Sequence, residues 1–299
     1  MLSETDISDF REAGKITAKV LKEAEKLVIA GESLLDIAET AEKMIAEEGA
    51  KLAFPVNIGI NSIAAHYTPG IDENETIPDD AVVKIDIGVR VNDCIGDSAT
   101  TVDLSGKQDK LLEASRTALE KAIQAIKPGA KVGEIGGVIE STIKEYGFKP
   151  IVNLTGHKIE KGLLHAGVEI PNVKTPDPYE LKEGDVFAIE PFATNGKGYV
   201  NDTEEVRIFS LHAPGNVRMR QGRKVLIHIL DNYGLLPFAE RWLHKEFKSK
   251  LIVNATIREM VGKGMLKTYP VLKEAGDGIV AQFEHTVLVN KDGCEVLTK

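Results

Sequence analysis

Five residues of this sequence carry metal-binding side chains in places where such side chains are rarely found. Asp86, Glu190 and Glu284 each follow a short apolar stretch, and Asp97 and His157 lie in or beside further apolar segments. Carboxylates are seldom buried unless they are paired or bind a metal. Four carboxylates and one imidazole, brought together, provide oxygen and nitrogen ligands that suit two divalent cations better than one. The sequence therefore predicts a metal site.

Two of these carboxylates share the segment VKIDIGVRVNDCIGDSATTVDL, in which Asp86 and Asp97 are eleven residues apart. A strand, a turn at Asn92-Asp93 and a second strand fit this spacing. Such a hairpin brings the two carboxylates together, where without a cation their repulsion raises one pKa. The alternative for Asp97 alone is an exposed hairpin aspartate, and the set of five argues against it.

The segment LTGHKIEKGLLHAG contains two histidines, His157 and His165, in a loop rich in glycine. A lone histidine is more often a structural group than a ligand, but two in one such loop favour a functional role. His66 ends the apolar stretch INSIAA, and both roles stay open for it. His285 follows Glu284, so on a strand it points to the opposite face. The remaining histidines are interpreted as structural or surface groups: His212, His228 and His244.

The elements that must position these residues form a repeat. Apolar residues at helical spacing predict helices over 5–30 and 33–48, and the same pattern recurs 98 residues later. Paired positions of the two copies are Gly31 and Gly129, Leu34 and Val132, Ile37 and Ile135, Glu42 and Glu140, and Gly49 and Gly147. Downstream, strand 81–89 has a counterpart in 185–193, each with a carboxylate in the same place.

This repeat predicts an α+β fold in which two αα-β halves, related by a pseudo-twofold axis, surround a central antiparallel sheet. Asp86 and Glu190 then approach a central cleft from opposite sides. Residues 212–275 break the pattern and are predicted to form a small helical insertion subdomain. The catalytic domain is predicted to comprise residues 1–211 and 276–299.

Composition narrows the class of protein. The 299 residues carry a net charge of −9, which argues against general nucleic-acid binding. Two cysteines, Cys94 and Cys294, are too few for a disulfide framework and fit a reducing cytosol. No stretch approaches the roughly 18 apolar residues of a membrane span. The N-terminus MLSETDISDF lacks the features of a signal peptide, so we expect a cytoplasmic location.

Several motifs resemble those of the pita-bread metallopeptidases over nearly the whole chain. They are DIG followed by GDSA, the glycine-histidine segment ending in LHAG, AIEPF, and QFEHT. Four further features are similar to the type II methionine aminopeptidases: AAHYTPG, NGKGYVND, YGLLPFAERWL and the helical insertion. The absence of a long N-terminal extension resembles the archaeal-type members.

This resemblance implies a dinuclear metal centre. Asp97 and Glu284 would bridge two divalent ions, Asp86 would complete one site, and His157 and Glu190 the other. The ions, drawn from cobalt, manganese, iron(II) and zinc, would hold a bridging hydroxide that attacks the first peptide bond. The second metal would bind the free α-amine of the substrate, which explains exopeptidase action.

The resemblance also implies roles for residues around the metals. Glu190 is the general base, His66 contacts the scissile amide or leaving nitrogen, and His165 stabilises the carbonyl oxygen as negative charge develops. An apolar pocket for the methionine side chain is expected at Phe54, Asn57, Leu164 and Ile208. The implied activity removes the initiator methionine from nascent proteins whose second residue is small.

The sequence is also compatible with two other interpretations. A prolidase or proline aminopeptidase would share the fold, and a family member without activity would bind protein or RNA. The expected partners are methionyl peptides and nascent proteins, and the chain is expected to be a monomer that binds neither specific nucleic acid nor membranes. The basic run 218–224 and the segment 241–250 are either ribosome contacts or an ordinary solvated surface of the insertion.

Overall fold

A computed structural model describes residues 2–299 and contains seven helices within them. The helices are α1 (Glu4–Glu25), α2 (Leu34–Glu47), α3 (Asp109–Ala125), α4 (Val132–Glu145), α5 (Arg220–Asn232), α6 (Glu240–Glu246) and α7 (Lys250–Gly262). Within residues 2–299, none of the helices combines the length and the apolar composition that a membrane span requires.

Sixteen strands accompany the helices. They are β1 (Lys51–Leu52), β2 (Asn57–Ile60), β3 (Ile63–Ala65), β4 (Val82–Val91), β5 (Cys94–Asp103), β6 (Lys149–Pro150), β7 (Thr155–Ile159), β8 (Glu169–Pro171), β9 (Val186–Ile189), β10 (Phe192–Thr194), β11 (Val200–Leu211), β12 (Phe238–Ala239), β13 (Leu266–Glu274), β14 (Val280–Gln282), β15 (His285–Val289) and β16 (Cys294–Val296).

The first helix begins as the sequence predicts but ends earlier. Ser3 and Asp6 form a reciprocal capping box at the N-terminus of α1. The predicted helix over 5–30 is wrong beyond Glu25, because the following chain pairs with a distant segment instead. Gly31 donates its backbone N–H to the Ile77 carbonyl at 2.8 Å, and Ile77 returns a bond to Glu32 at 2.9 Å.

The predicted repeat is confirmed in the two halves of the body. Helices α1 and α2 pack on β4 and β5 in the first half, and α3 and α4 pack beside β9 and β15 in the second. Gly31 and Gly129 precede the second helix of each pair with φ of 86° and 82°. Gly49 and Gly147 follow it with φ of 74° and 85°. These left-handed conformations favour glycine, which explains why the four positions match.

All strand pairs are antiparallel, in agreement with the predicted α+β class. The sheets run β1-β4-β2 with β5 beside β4, β14-β10-β6, β12-β11-β13-β3, and β16-β15-β9-β7-β8. The predicted hairpin of β4 and β5 is present and turns at Asn92 and Asp93, with φ of 47° and 69°. Positive φ at both central residues matches the right-handed twist of the strands.

The two halves meet along a seam between β5 and the β14–β15 segment. The Glu284 N–H donates to the Ala99 carbonyl at 3.0 Å. The Thr286 hydroxyl accepts from the Asp97 N–H at 2.8 Å and donates to the Asp97 carbonyl at 2.7 Å. These bonds connect residues more than 180 positions apart. The seam therefore fixes Asp97 and Glu284 relative to one another.

Residues 212–265, which we call the helical region, contain three helices with an apolar core that includes Val225, Phe238 and Met260. Strand β13 follows and pairs with both β11 and β3, so it connects this region to the first half. We keep the division into a catalytic domain and a 212–275 insertion as a proposal, with β13 as the strand that joins them.

Near the seam, one buried carboxylate organises two turns. Glu274, at the end of β13, is 2% exposed. Its Oε1 accepts from the Lys197 and Gly198 N–H groups, and its Oε2 from Gly276 at 2.6 Å and Gly278 at 2.9 Å. Although burial opposes ionisation, these four backbone bonds hold the Glu274 pKa below its usual range.

Glu274→Gln is expected to lower the free energy of unfolding by about 3 kcal/mol, because an amide NH₂ would face two backbone N–H donors. The ionised carboxylate stabilises the fold fully above the pKa of the unfolded state. That stabilisation is lost as pH falls through the lower folded pKa, so the stabilities of wild type and variant should converge in acid. Urea unfolding between pH 2 and 7 measures the difference. The control Glu183→Gln, at an exposed turn, should change stability by less than about 0.5 kcal/mol.

Candidate metal centre

A cavity of about 270 Å³ opens between the two halves and is lined by every site residue that the sequence predicted. These residues are Phe54, Asn57, His66, Asp86, Asp97, His157, Leu164, His165, Glu190, Ile208 and Glu284. They come from both repeats, from the β2–β3 region and from β11. The cavity therefore brings together groups that lie up to 230 residues apart in the chain.

The five candidate ligands project from paired strands or from their ends. Asp86 lies in the middle of β4. Asp97 lies on β5 and pairs with Gly88 of β4. His157 on β7 pairs with Ala188 of β9, whose end is followed at once by Glu190. Glu284 occupies the short break between β14 and β15. Strand pairing thus fixes the backbone next to each of these side chains.

The distances within the group are those of a compact cluster. His157 Nε2 lies 3.5 Å from Asp97 Oδ2 and 3.6 Å from Glu190 Oε1. Asp97, His157 and Glu284 offer ligand atoms that all lie within 4.8 Å of one another. All three side chains are buried, at 3%, 7% and 2% exposure. A single cation between them would contact oxygen and nitrogen ligands at once.

Burial sets the protonation of this cluster. Desolvation is the largest cause that raises the pKa values of Asp97, Glu190 and Glu284 well above their usual range, and repulsion between the carboxylates adds to it. Desolvation also raises the pKa of Asp86. Burial lowers the His157 pKa to about 4, so its imidazole is neutral near pH 7. A neutral imidazole is the form that binds a metal.

These residues fit divalent cations by two tests. Asp86 Oδ1 and Asp97 Oδ1 are buried and have no hydrogen-bond partner, which is costly unless a ligand satisfies them. The donor set of carboxylate oxygens with one imidazole nitrogen is typical of sites for first-row divalent metals. Cations at this position would also offset the mutual repulsion of the four carboxylates.

Two further histidines line the cavity beside Tyr269. The ring centroid of His66 lies 5.4 Å from that of Tyr269, edge to face, and the His165 ring stacks at 6.4 Å. Desolvation lowers the pKa of His66 to about 4 and that of His165 to about 2, so both rings are neutral. His66 Nδ1 lies 3.2 Å from the Pro270 carbonyl, which only accepts. Nδ1 therefore carries the proton, and His66 Nε2 is left as an acceptor.

One side of the cavity is apolar. Phe54, Leu164 and Ile208 are buried there at 6%, 6% and 3% exposure. A Cβ atom at Gly88 would lie 2.2 Å from the Phe54 ring, so only glycine allows this ring to pack on β4. Asn57 Oδ1 is buried beside them without a hydrogen-bond partner.

Two residues of the site are not among those that the sequence predicts. Gln282 donates to Glu190 Oε2 and Glu284 Oε2, both at 3.2 Å, and so orients both carboxylates. Its position two residues before Glu284 was the available signal, because alternate strand residues share a face. Tyr269 packs edge to face with His66 and stacks with His165, and nothing in its local sequence indicates this.

The other histidines stay away from the cavity. His285 bonds Thr298 Oγ1 at 2.9 Å on the far side of β15, in agreement with the predicted orientation. The remaining three, His212, His228 and His244, lie in the helical region or at its start and do not line the cavity.

Comparison with known proteins agrees with this geometry. The model of metallopeptidase family M24 matches residues 8–291. A methionine aminopeptidase of Pyrococcus abyssi is 48% identical over 295 residues, which cover 98% of this chain and 100% of that protein.

Solved structures share the fold at lower identity. A thermophilic Arx1 superposes with a TM-score of 0.87 at 19% identity, covering 99% of this chain and 91% of the other. A methionine aminopeptidase from Thermotoga maritima gives a TM-score of 0.73 at 22% identity, covering 100% and 98%. The predicted pita-bread fold is confirmed by these likenesses. The match of the family model over nearly the whole chain, together with the P. abyssi relative, shows that this chain belongs to metallopeptidase family M24.

Proposed function

We propose that this chain is a methionine aminopeptidase that removes the first residue of peptides and nascent proteins whose second residue is small. The observation that carries the proposal is a single cavity that joins a buried carboxylate cluster to an apolar pocket beside Phe54, Leu164 and Ile208. The 48% identity to a protein named methionine aminopeptidase supports the choice of substrate.

As a member of its family, the chain is a hydrolase that uses divalent metal. We propose that two ions are held by Asp86, Asp97, His157, Glu190 and Glu284, with manganese, iron(II), cobalt and zinc as candidates. When bound, such ions supply Lewis acidity and lower the pKa of bound water toward neutrality. The free α-amine of a peptide, in its neutral form, would be a further nitrogen ligand for such an ion, which favours cleavage at the first residue.

The residues around the cluster have separate tasks in this proposal. Glu190 accepts the proton of the attacking water, and Gln282 holds its carboxylate in place. His66 Nε2, as an acceptor, takes a hydrogen bond from the scissile N–H. His165 stabilises the carbonyl oxygen as negative charge develops there.

The apolar wall explains the preference for methionine. Phe54, Leu164 and Ile208 offer a dry surface to its flexible, polarisable side chain. Asn57, whose buried Oδ1 has no hydrogen-bond partner, lines the same cavity and lies opposite Asp86 in the β2–β4 pair. Steric limits near His66, whose ring packs edge to face with Tyr269 in the cavity lining, would select a small second residue.

A pair of peptides tests the function directly. Protein stripped with a chelator and resupplied with cobalt, manganese or iron(II) should release methionine from Met-Ala-Ser and leave Lys-Pro-Leu intact. Cleavage of Lys-Pro-Leu alone would assign the chain to the prolidase branch of the fold. Metal binding without turnover of either peptide would favour a binding protein that has lost activity.

Asp97→Ala is expected to abolish methionine release and to lower the bound metal, because Asp97 provides a buried oxygen at the centre of the cluster. Mass-spectrometric metal analysis and turnover of Met-Ala-Ser measure both effects. The matched control is Asp93→Ala in the turn of the same hairpin, where the side chain is 58% exposed and pairs with Arg90. It should keep both properties within about twofold. Full activity of Asp97→Ala with added metal would refute the ligand assignment.

We propose further that the enzyme acts in the cytoplasm as a monomer. The candidate ligands and the apolar wall of one chain form one cavity, so the proposed reaction needs no residue from a second copy. We also propose that the exposed basic residues at the start of α5 contact the ribosome. Arg220, Arg223 and Lys224 lie there without an acidic residue in the first helical turn, an arrangement that the helix dipole disfavours.

Arg220→Glu combined with Arg223→Glu should reduce co-sedimentation with ribosomes at low salt, because the variant repels RNA phosphates. Peptide turnover should stay unchanged. The control pair, Lys107→Glu with Lys110→Glu, reverses two exposed charges near the start of α3 and should bind ribosomes as the wild type does. Equal loss in both variants would mean that net charge, and not this surface, governs the association.

A further inference from the structure

His66 has a backbone conformation that its own sequence does not explain. Its φ is +64°, in the left-handed region that residues with a Cβ rarely adopt. Such conformations cost free energy and persist only where the surrounding structure fixes them. The contacts that fix His66 therefore also fix the direction of its ring toward the cavity.

The short segment 66–70, which we call the His66 loop, lies between β3 and the turn that follows. Strands outside the helical region hold one side of this loop. The Tyr67 carbonyl accepts from the Ile58 N–H at 2.8 Å, and the Pro270 carbonyl accepts from His66 Nδ1. The Thr68 hydroxyl donates to the Val56 carbonyl at 2.8 Å. These bonds come from β2, from the segment before it and from β13.

The helical region holds the same loop from the other side through Arg241. This residue of α6 is 1% exposed. Its Nη1 donates to Thr68 Oγ1 at 2.6 Å and lies 3.4 Å from the Pro69 carbonyl. Its Nη2 pairs with Glu42 of α2, whose second oxygen accepts from Trp242 Nε1 at 3.0 Å.

The fork of the guanidinium is what makes this connection possible. One arm binds a fixed carboxylate on α2, and the other binds a hydroxyl two residues beyond His66. A planar, rigid fork transmits position between its two ends, which a flexible ammonium does not do. Trp242, in contrast, binds Glu42 but makes no hydrogen bond to the loop.

We infer that Arg241 is a positioning residue for His66, so that the helical region completes the active site and is more than an appended surface. The inference deepens the proposed function and rests on the role of His66 given there. It predicts that Arg241 affects the chemistry only through His66. A purely structural arginine would affect stability whether or not His66 is present.

The test is a double-mutant cycle on release of methionine from Met-Ala-Ser by the metal-loaded enzyme. His66→Ala should lower kcat about 100-fold while metal binding is retained. Arg241→Lys keeps the positive charge beside Glu42 but loses the fork, and should lower kcat about tenfold with KM within about threefold. Combined with His66→Ala, the same substitution should change kcat less than about twofold.

Hydrogen exchange gives a readout that does not depend on turnover. Amides of the His66 loop should exchange faster in Arg241→Lys than in the wild type. The matched control Trp242→Phe removes the neighbouring bond to Glu42 and should lower the melting temperature, with loop exchange unchanged and kcat within about twofold. If Arg241→Lys fails to fold, Thr68→Val removes the hydroxyl that Arg241 binds and keeps the Arg241–Glu42 pair. It also removes the Thr68 bond to Val56, so its effect on kcat should be at least as large and should again disappear when His66 is replaced by Ala.

Equal losses of kcat with and without the His66 side chain would overturn the inference, as would a Trp242→Phe variant as slow as Arg241→Lys. Failure of the proposed function is distinguishable from this result. In that case the wild type itself would release no methionine, and only the exchange measurement would report on the connection between Arg241 and the loop.

Discussion

Crowding of negative charge in a buried cleft is the constraint on which the rest of this structure depends. Asp97, Glu190 and Glu284 share one buried cleft. Desolvation raises the pKa of each, and repulsion from neighbouring carboxylates, above all Asp86 and Asp97, raises it further. Desolvating one unpaired carboxylate is already costly, and the cost grows when several share a site. The protein contributes little to offset it, since Gln282 is the one amide that bonds two of the carboxylates among residues 2–299. Metal binding and the stability of the cleft are therefore linked, because an ion that binds the folded state stabilises it.

The seam between the two halves holds the mutually repelling carboxylates close together. Asp97 and Glu284 belong to different repeats, so no single hairpin holds them together. Hydroxyl groups span the seam instead, with Ser98 donating to the Glu284 carbonyl at 2.6 Å and Thr101 to the Gln282 carbonyl at 2.6 Å. Lys84, buried at 1% exposure, adds a bond from β4 to the Val280 carbonyl. Strand pairing fixes the backbone beside the ligands within each half, and these side chains, with the backbone bond from Glu284 to Ala99, fix the two halves relative to one another.

How far the sequence predicts this site depends on whether the relevant contact is local. The β4–β5 hairpin follows from its turn residues, and the repeat follows from helical periodicity and from glycines with positive φ. The end of α1 was wrong because it is decided by pairing with Ile77, about fifty residues away. The site positions of Gln282 and Tyr269 are not predicted by the sequence, because their partners come from other strands. The register between distant strands cannot be deduced from one sequence. The motif resemblance identified the five candidate ligands because each lies within a short recognisable segment.

The His66 loop shows why packing between regions matters for chemistry. A loop without a strand ladder has few backbone bonds to define it, so side chains must fix its position. Here two arginines do so from different elements. Arg207 of β11 pairs with Glu73, which also accepts from the Gly70 N–H at 3.0 Å, while Arg241 reaches Thr68 from α6. The position of His66 therefore depends on how the helical region docks on α2. The two repeats surround the carboxylates, and the helical region fixes the loop that carries His66.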